Sequence, residues 1–214
     1  LGCHLTDTLH RIGVNNKQIV FSQNGIESKY ILSYSEVKEN IKKIDPTLLR
    51  IIFIGRNDKV KGLDILRQAL SNITSPIHLT LVGELAQIDS KIHIIQNMGV
   101  IKSKDELFKR IDKSHALVVP SLSEGMPTVI LEAMARGKAI IATDVGAVSE
   151  LVGESNGELI PPNDVKALVS AINNIKEDVI EKGLNSSLSK ITSFTWGKIA
   201  KKFLDDIKLT SRSN

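Results

Sequence analysis

Seven short apolar runs set the terms on which this chain can fold. They are Ile19–Phe21, Leu48–Ile54, Ile77–Val82, Ile92–Ile95, Ala116–Val119, Ala139–Ala142 and Glu158–Ile160. Most are continuous rather than alternating and rich in Ile and Val. Such runs mark strands buried on both faces, as in a parallel sheet. Helical patterns lie between them. Leu63, Leu66, Leu70 and Ile73 repeat at helical spacing, as do Leu107 and Ile111. Val129, Ile130, Ala133 and Met134 line one face of another helix. Asn163 is placed to cap a fourth, with Val165, Leu168, Val169 and Ile172 as its buried stripe. Strand alternating with helix predicts an α/β fold, a Rossmann-like doubly wound parallel sheet. Ligands of such sheets bind beyond the carboxyl ends of the strands.

The last segment, FTWGKIAKKFLDDIKL, reads as a separate amphipathic helix, with Trp196, Ile199, Phe203 and Ile207 at helical spacing. The division expected is therefore residues 1–194 as the sheet domain and 195–214 as the terminal helix. That helix packs either on its own domain or on a neighbour. The opening, LGCHLTDTLHRIG, is neither a signal peptide nor an initiator-Met start and reads like the tail of a preceding helix. Cys3 has no second cysteine to pair with, so a reducing cytoplasm is the default. No apolar run approaches the ~20 residues that span a bilayer. The net charge of +4 comes from lysines on helical faces, such as Lys38, Lys42, Lys43, Lys201 and Lys202. A solvated surface explains them; attraction to anionic ligands or to lipid at the inner face of the membrane is the sharper alternative. Aromatics are 4% with no basic-aromatic interleaving, which argues against a nucleic-acid module.

Two turns could carry chemistry. The first is Gly55–Gly62 (GRNDKVKG), between the strongest strand and the next helix. Arg56 offers a planar donor fork to phosphate and Lys61 a point charge. A charged surface turn would look the same. It is neither a Walker loop nor a GxGxxG fingerprint. The second is Pro120–Glu132 (PSLSEGMPTVILE), again between strand and helix. Pro127 suits the first helical turn, so the amides near Gly125, Met126, Thr128 and Val129 lie at a helix N-terminus, which favours phosphate. Gly125 lets a ligand approach the backbone. Glu124 lies before the helix and Glu132 within it, and both are expected to face one crevice at different depths. Carboxylates repel phosphate but accept from paired hydroxyls. A ligand with phosphate in the middle and sugars at both ends, a sugar nucleotide, satisfies both; two surface glutamates near a helix start remain the plain alternative. Thr143–Gly146 lines the crevice or is a simple turn. The five histidines lack metal-ligand spacing, and His78, His93 and His115 read as structural. No Asp-x-Asp offers a metal bridge to a diphosphate.

In these segments, and in Asn24–Ile26 (NGI), Leu81–Gly83 (LVG), Gly99–Ile101 (GVI), Ala142–Val152 (ATDVGAVSELV) and Asn156–Pro162 (NGELIPP), the chain resembles the C-terminal domain of the family 4 (group 1) retaining glycosyltransferases, which have the GT-B fold. The resemblance implies that Arg56 and Lys61 hold the donor diphosphate and that Glu132 takes the ribose hydroxyls. It places Glu124 opposite the transferred sugar. The backbone of Gly125, Met126, Pro127 and Thr128 lies over sugar and phosphate, and Val100 and Ile101 receive the base. It implies a UDP- or GDP-hexose donor, no metal and no other cofactor. It also implies a glycan or lipid-linked acceptor held by an N-terminal domain outside this chain, in a cytoplasmic protein or one peripheral to the inner membrane face. Three features depart from the family. Glu84 and Leu85 follow Gly83 where a second glycine is usual, His115 stands where Asp is common, and the acceptor domain is missing. A sugar-nucleotide-binding module without turnover, and a nucleotide-binding fold used only for protein contacts, are the competing functions.

Overall fold

The computed structural model describes residues 3–16, 19 and 22–211. Six strands, β1 (Leu49–Ile54), β2 (Ile77–Val82), β3 (Ile94–Asn97), β4 (Ala116–Val119), β5 (Ala139–Thr143) and β6 (Gly157–Ile160), form one parallel sheet in the order β3-β2-β1-β4-β5-β6. The helices are α1 (Cys3–Arg11), α2 (Tyr34–Lys42), α3 (Leu63–Leu70), α4 (Lys104–Asp112), α5 (Thr128–Ala135), α6 (Val148–Leu151), α7 (Val165–Asn173), α8 (Glu177–Ile191) and α9 (Trp196–Ser211). None is long and apolar enough to cross a membrane, among the described residues.

Alternate residues of a strand point to opposite faces, and here both faces are covered. Ile51 and Phe53 turn to the side of α3 and α7, where Leu66, Leu70, Leu168 and Ile172 pack. Ile52, between them, turns to the side of α4, α5 and α6, with Ile111, Ile130 and Leu151. All three strand residues are almost completely buried. Burial of each such side chain contributes about 1.5–3 kcal/mol, which is why these runs are continuous rather than alternating. The order of elements is thus the doubly wound sheet expected from the sequence.

Three details differ from expectation, and one expectation is not covered. Val20 and Phe21, in the first apolar run, lie outside the described residues. The run at Ile92–Ile95 begins its strand only at Ile94, and Ile92 and Ile94 are half exposed because β3 is a sheet edge. Asn163 does not cap α7. It takes a left-handed backbone (φ 60°), and Asp164 caps instead, accepting from the Ala167 N–H at 2.9 Å. Pro127 is the N-cap of α5 rather than a residue of its first turn. The terminal helix packs its base on the domain. Ile199 is buried, and the Ile26 N–H donates to the Phe194 carbonyl (2.9 Å), whereas Phe203, Leu204 and Ile207 are 37–55% exposed.

His115 fastens the start of β4 to β1. Its N–H donates to the Arg50 carbonyl (2.8 Å), and its Nδ1 accepts from the Arg50 N–H (3.1 Å). An accepting Nδ1 requires an unprotonated nitrogen. Burial first, then the Lys138 and Arg50 charges, push this imidazole down to about 4. The unfolded chain takes a proton near 6.5 while the fold does not, so stability drains as pH falls from about 6.5 towards 4. Between pH 7 and 5 this costs about 2 kcal/mol. In His115→Asn the side-chain oxygen replaces Nδ1 and nothing titrates, so urea unfolding at pH 7 and 5 should show a loss smaller by about 2 kcal/mol. Equal losses in the two proteins would contradict this account.

Candidate functional site

The strand order reverses between β1 and β4: the chain runs outward through β2 and β3, returns to β4 beside β1, and leaves in the other direction. Loops at the carboxyl ends of β1 and β4 therefore part company, and a crevice opens between them. It encloses about 690 Å³. The ends of β1 and β2 supply Ile54–Asn57 and Val82–Glu84, the β3–α4 loop supplies Val100 and Ile101, and the segment after β4 supplies Ser121, Glu124 and Pro127–Val129.

The first turn begins as β1 ends. Asp58 accepts from the Val60 N–H (3.0 Å) and winds Lys59–Lys61 into a short 3₁₀ turn. Gly62 follows at φ 71°, and a Cβ there would stand 1.9 Å from the Pro120 carbonyl oxygen. This close approach, with the Leu122 N–H donating to the Val60 carbonyl (2.7 Å), locks the first turn against the second. Arg56 reaches into solvent, 83% exposed, with Asp58 no closer than 4.0 Å. Lys61 turns inward instead, its Nζ 2.6 Å from Glu124 Oε1.

The second turn is held from behind. Ser121 Oγ donates to Glu124 Oε1 (2.8 Å), and Thr143 Oγ1 donates to the Ser121 carbonyl. The Ala147 N–H donates to the Gly125 carbonyl (2.8 Å) and Asn24 Nδ2 to the Met126 carbonyl (2.7 Å). Thr143–Gly146 is thus a turn that braces the loop rather than a wall of the crevice. Gly146 has φ 59°, and a Cβ there would meet the Glu124 carbonyl oxygen at 1.9 Å. The amides of Thr128 and Val129, at the start of α5, have no intrahelical acceptor by the geometry of a helix, and both residues line the crevice.

Of the residues singled out from sequence, the crevice gathers Arg56, Lys61, Val100, Ile101, Glu124, Pro127 and Thr128. Gly125 and Met126 are not in its wall, because their carbonyls face the bracing elements, although a Cβ on Gly125 would meet nothing within 4 Å. Glu132 also departs from expectation. It lies on the α4 side of α5, in an adjoining recess of about 210 Å³ that shares Thr128 with the crevice. It is 5% exposed and paired with Lys104. Lys104 escaped the sequence reading. Its signal is its position: a cation in the first turn of α4 opposes the helix dipole and needs a partner. Asn24, Ser121 and Glu84 were also missed as parts of the site. His93 and His115 are buried and hydrogen-bonded to the backbone, His93 Nε2 meeting the Leu70 carbonyl at 2.9 Å. Among the described residues no three His, Cys, Asp or Glu side chains converge on one point.

The sequence profile of the family described as "Glycosyl transferases group 1" matches residues 49–178, from the first residue of β1 past both turns. The chain belongs to the group 1 glycosyltransferases. It is 31% identical over 166 residues to a putative teichuronic acid biosynthesis glycosyltransferase, TuaC, of Bacillus subtilis, covering 74% of this chain and 41% of that protein. A solved sucrose-phosphate synthase from Thermosynechococcus elongatus superposes with a TM-score of 0.79 at 22% identity, over 100% of this chain and 58% of that one. HepE of Anabaena, solved in complex with UDP-glucose, gives 0.73 at 20% identity, over 94% of this chain and 60% of that one. The group 1 chain therefore spans less than half of the curated relative and about three-fifths of the solved neighbours.

The close approach at Gly146 makes a direct test of how the site is held. Gly146→Ala adds left-handed strain and a backbone collision, so it should cost about 2–4 kcal/mol in urea unfolding. Gly153→Ala, where a Cβ meets nothing within 4 Å, should change stability by less than about 1 kcal/mol. A Gly146→Ala protein as stable as the parent would show that the brace is not tight.

Proposed function

We propose that this domain is the donor half of a retaining glycosyltransferase, holding a UDP- or GDP-hexose whose sugar passes to a glycan or lipid-linked acceptor bound by a second domain. The observation that carries this is the convergence of Arg56, Lys61 and the N-terminus of α5 on one crevice at the strand-order reversal, with Glu124 in its wall. The UDP-glucose complex of the HepE neighbour, on the same fold, supports the choice of ligand.

Lys61 has three donors. It can keep one on Glu124 and turn the others to a diphosphate, while Arg56 swings in from solvent with its fork. The amides of Thr128 and Val129 add donors that need no reorganisation, so charge developing on the leaving diphosphate is met as it forms. Glu124 already accepts from Lys61 and Ser121 through Oε1. Its Oε2 is left for a hydroxyl of the transferred hexose. Glu132, one helical turn beyond Thr128, is assigned the ribose hydroxyls, with Lys104 holding its other oxygen. Val100 and Ile101 receive the base. The exposed face of α9, with Trp196, Phe203 and Ile207, is assigned to contact with the acceptor domain.

Arg56→Ala should weaken UDP or GDP binding by about 1.5–3 kcal/mol and leave nucleoside binding unchanged. Equal losses for nucleoside and diphosphate would remove Arg56 from the phosphates.

The glutamates separate the two ends of the ligand. Calorimetric titration with the nucleoside diphosphate and with its sugar form should show Glu132→Gln weakening both, and Glu124→Gln weakening only the sugar form. Identical losses for both variants across both ligands would overturn the assignment. Residues 1–214 alone should bind donor without transferring it; transfer from this chain by itself would show that no second domain is needed.

A further inference from the structure

The amino-terminal end of the sheet carries a second cavity, of about 530 Å³, between the last turns of α2 and α4 and the start of β1. Arg50 lines it, whereas Gly55, at the other end of the same strand, lines the donor crevice. The cavity holds three carboxylates: two are paired with arginines, and Asp45 keeps its charge beside Arg50. Glu106 Oε1 lies 2.5 Å from an Arg110 nitrogen. Asp112 takes two nitrogens of Arg136, at 2.7 and 2.5 Å. Asp45 Oδ1 accepts the N–H and hydroxyl of Thr47 at 2.9 and 2.6 Å. Lys43, Arg50, Lys109 and Lys113 remain in the wall with no ion-pair contact among the described residues, and Asp45 acts on Arg50 only from a distance.

The lysines stand near the carboxyl ends of α2 and α4, where the helix dipole favours a cation. Arg50 is a strand residue and has no such support. Its Nη1 meets His78 Nδ1 at 2.5 Å, and its Nε is buried without an acceptor, as is the Nε of Arg110 on the facing helix. Donors buried without acceptors are rare in folded proteins. The neighbouring imidazoles feel the Arg50 charge, with Asp45 opposing it at His115. Burial first, and then the Arg50 charge, hold His78 below its ordinary value; burial, Lys138 and Arg50 do the same to His115. An anion seated here would accept from the exposed ammonium groups of Lys43, Lys109 and Lys113 and bring negative charge beside Arg50. A carboxylate brings one negative charge, a phosphate monoester up to two with three acceptor oxygens, which suits a wall where four cations face the single uncancelled carboxylate of Asp45.

We propose that this cavity is a second anion site, distinct from the donor crevice, that takes the phosphate-ester group of a small molecule or of a lipid head group. The probe is inorganic pyrophosphate added to the 214-residue chain and followed by NMR at the Arg50 and Arg110 Nε–Hε groups and the His78 and His115 rings. These resonances should shift along one saturable curve, with a dissociation constant below about 1 mM. Arg56→Ala, in the other crevice, should leave that curve where it is. Lys109 and Lys113 are exposed, so Lys109→Glu with Lys113→Glu should fold normally, and should move the midpoint at least tenfold. Two further arms identify the source: displacement of pyrophosphate by glycerol 3-phosphate assigns a free phosphate ester, and flotation of the parent but not the double variant with phosphatidylglycerol vesicles assigns a head group. Shifts confined to the Arg56–Lys61 turn, or an unchanged midpoint in the double variant, would overturn the proposal.

Discussion

The reversal of strand order beside β1 is the constraint on which the rest of this structure depends. A parallel sheet needs a crossover between each pair of neighbouring strands, and crossovers keep one hand. Moving outward from β1 puts α3 on one face; returning to β4 and moving the other way puts α5 on the opposite face. The loops that begin these two helices must then diverge, and no side chain of the sheet can fill the gap between them. What does bridge it is polar: the Val60 carbonyl to Leu122, Gly62 against Pro120, and Lys61 reaching across to Glu124. The crevice is thus a consequence of topology, and its chemistry comes from what was placed at two strand ends.

Electrostatics explains how the site holds its two enclosed glutamates. Glu132 sits in a helix whose other inward residues are apolar, and a carboxylate buried there alone would carry a penalty of several kcal/mol. Lys104 removes it from a half-exposed position. Glu124, nearly as enclosed, is neutralised by Lys61 and held by Ser121. In both pairs the lysine is the more exposed partner and the longer side chain, so it can shift towards a ligand while the carboxylate stays where the fold put it. Arg56 is unconstrained by comparison.

Much of this was legible in the sequence because the runs that mark buried strands are local. Ile51–Phe53 is buried on both faces wherever its neighbours lie, and the turn after it is flanked by glycines on either side. Edges are not local: nothing in Ile92–Ile95 says that β3 has a neighbour on one side only. Helix phase is the second blind spot. Glu124 before the helix and Glu132 within it were expected to face one crevice, but the phase of α5 turns Glu132 to the α4 side. Contacts distant in sequence are the third. Asn24 braces Met126 from 102 residues away, and Lys104 reaches Glu132 across a helix packing that no short motif encodes. At Asn163 and Asp164, two residues of equal capping preference stood side by side, and only the backbone chose between them.

Positioning has a stricter requirement than binding. A carboxylate that merely attracts a hydroxyl can move by an ångström without consequence, whereas one that sets a reacting carbon cannot. Glu124 is tethered through both its side chain and its main chain: Oε1 takes two donors, its carbonyl is walled by Gly146, and the Ser121 carbonyl next to it is held by Thr143. Networks with every member satisfied are rigid, and partly satisfied ones are not. Arg56 has none of these restraints. Reach favours gathering charge, and confinement favours holding a fixed position. The contrast between an 83% exposed arginine and a glutamate with 9% of its side chain exposed is a contrast of reach and confinement within one crevice.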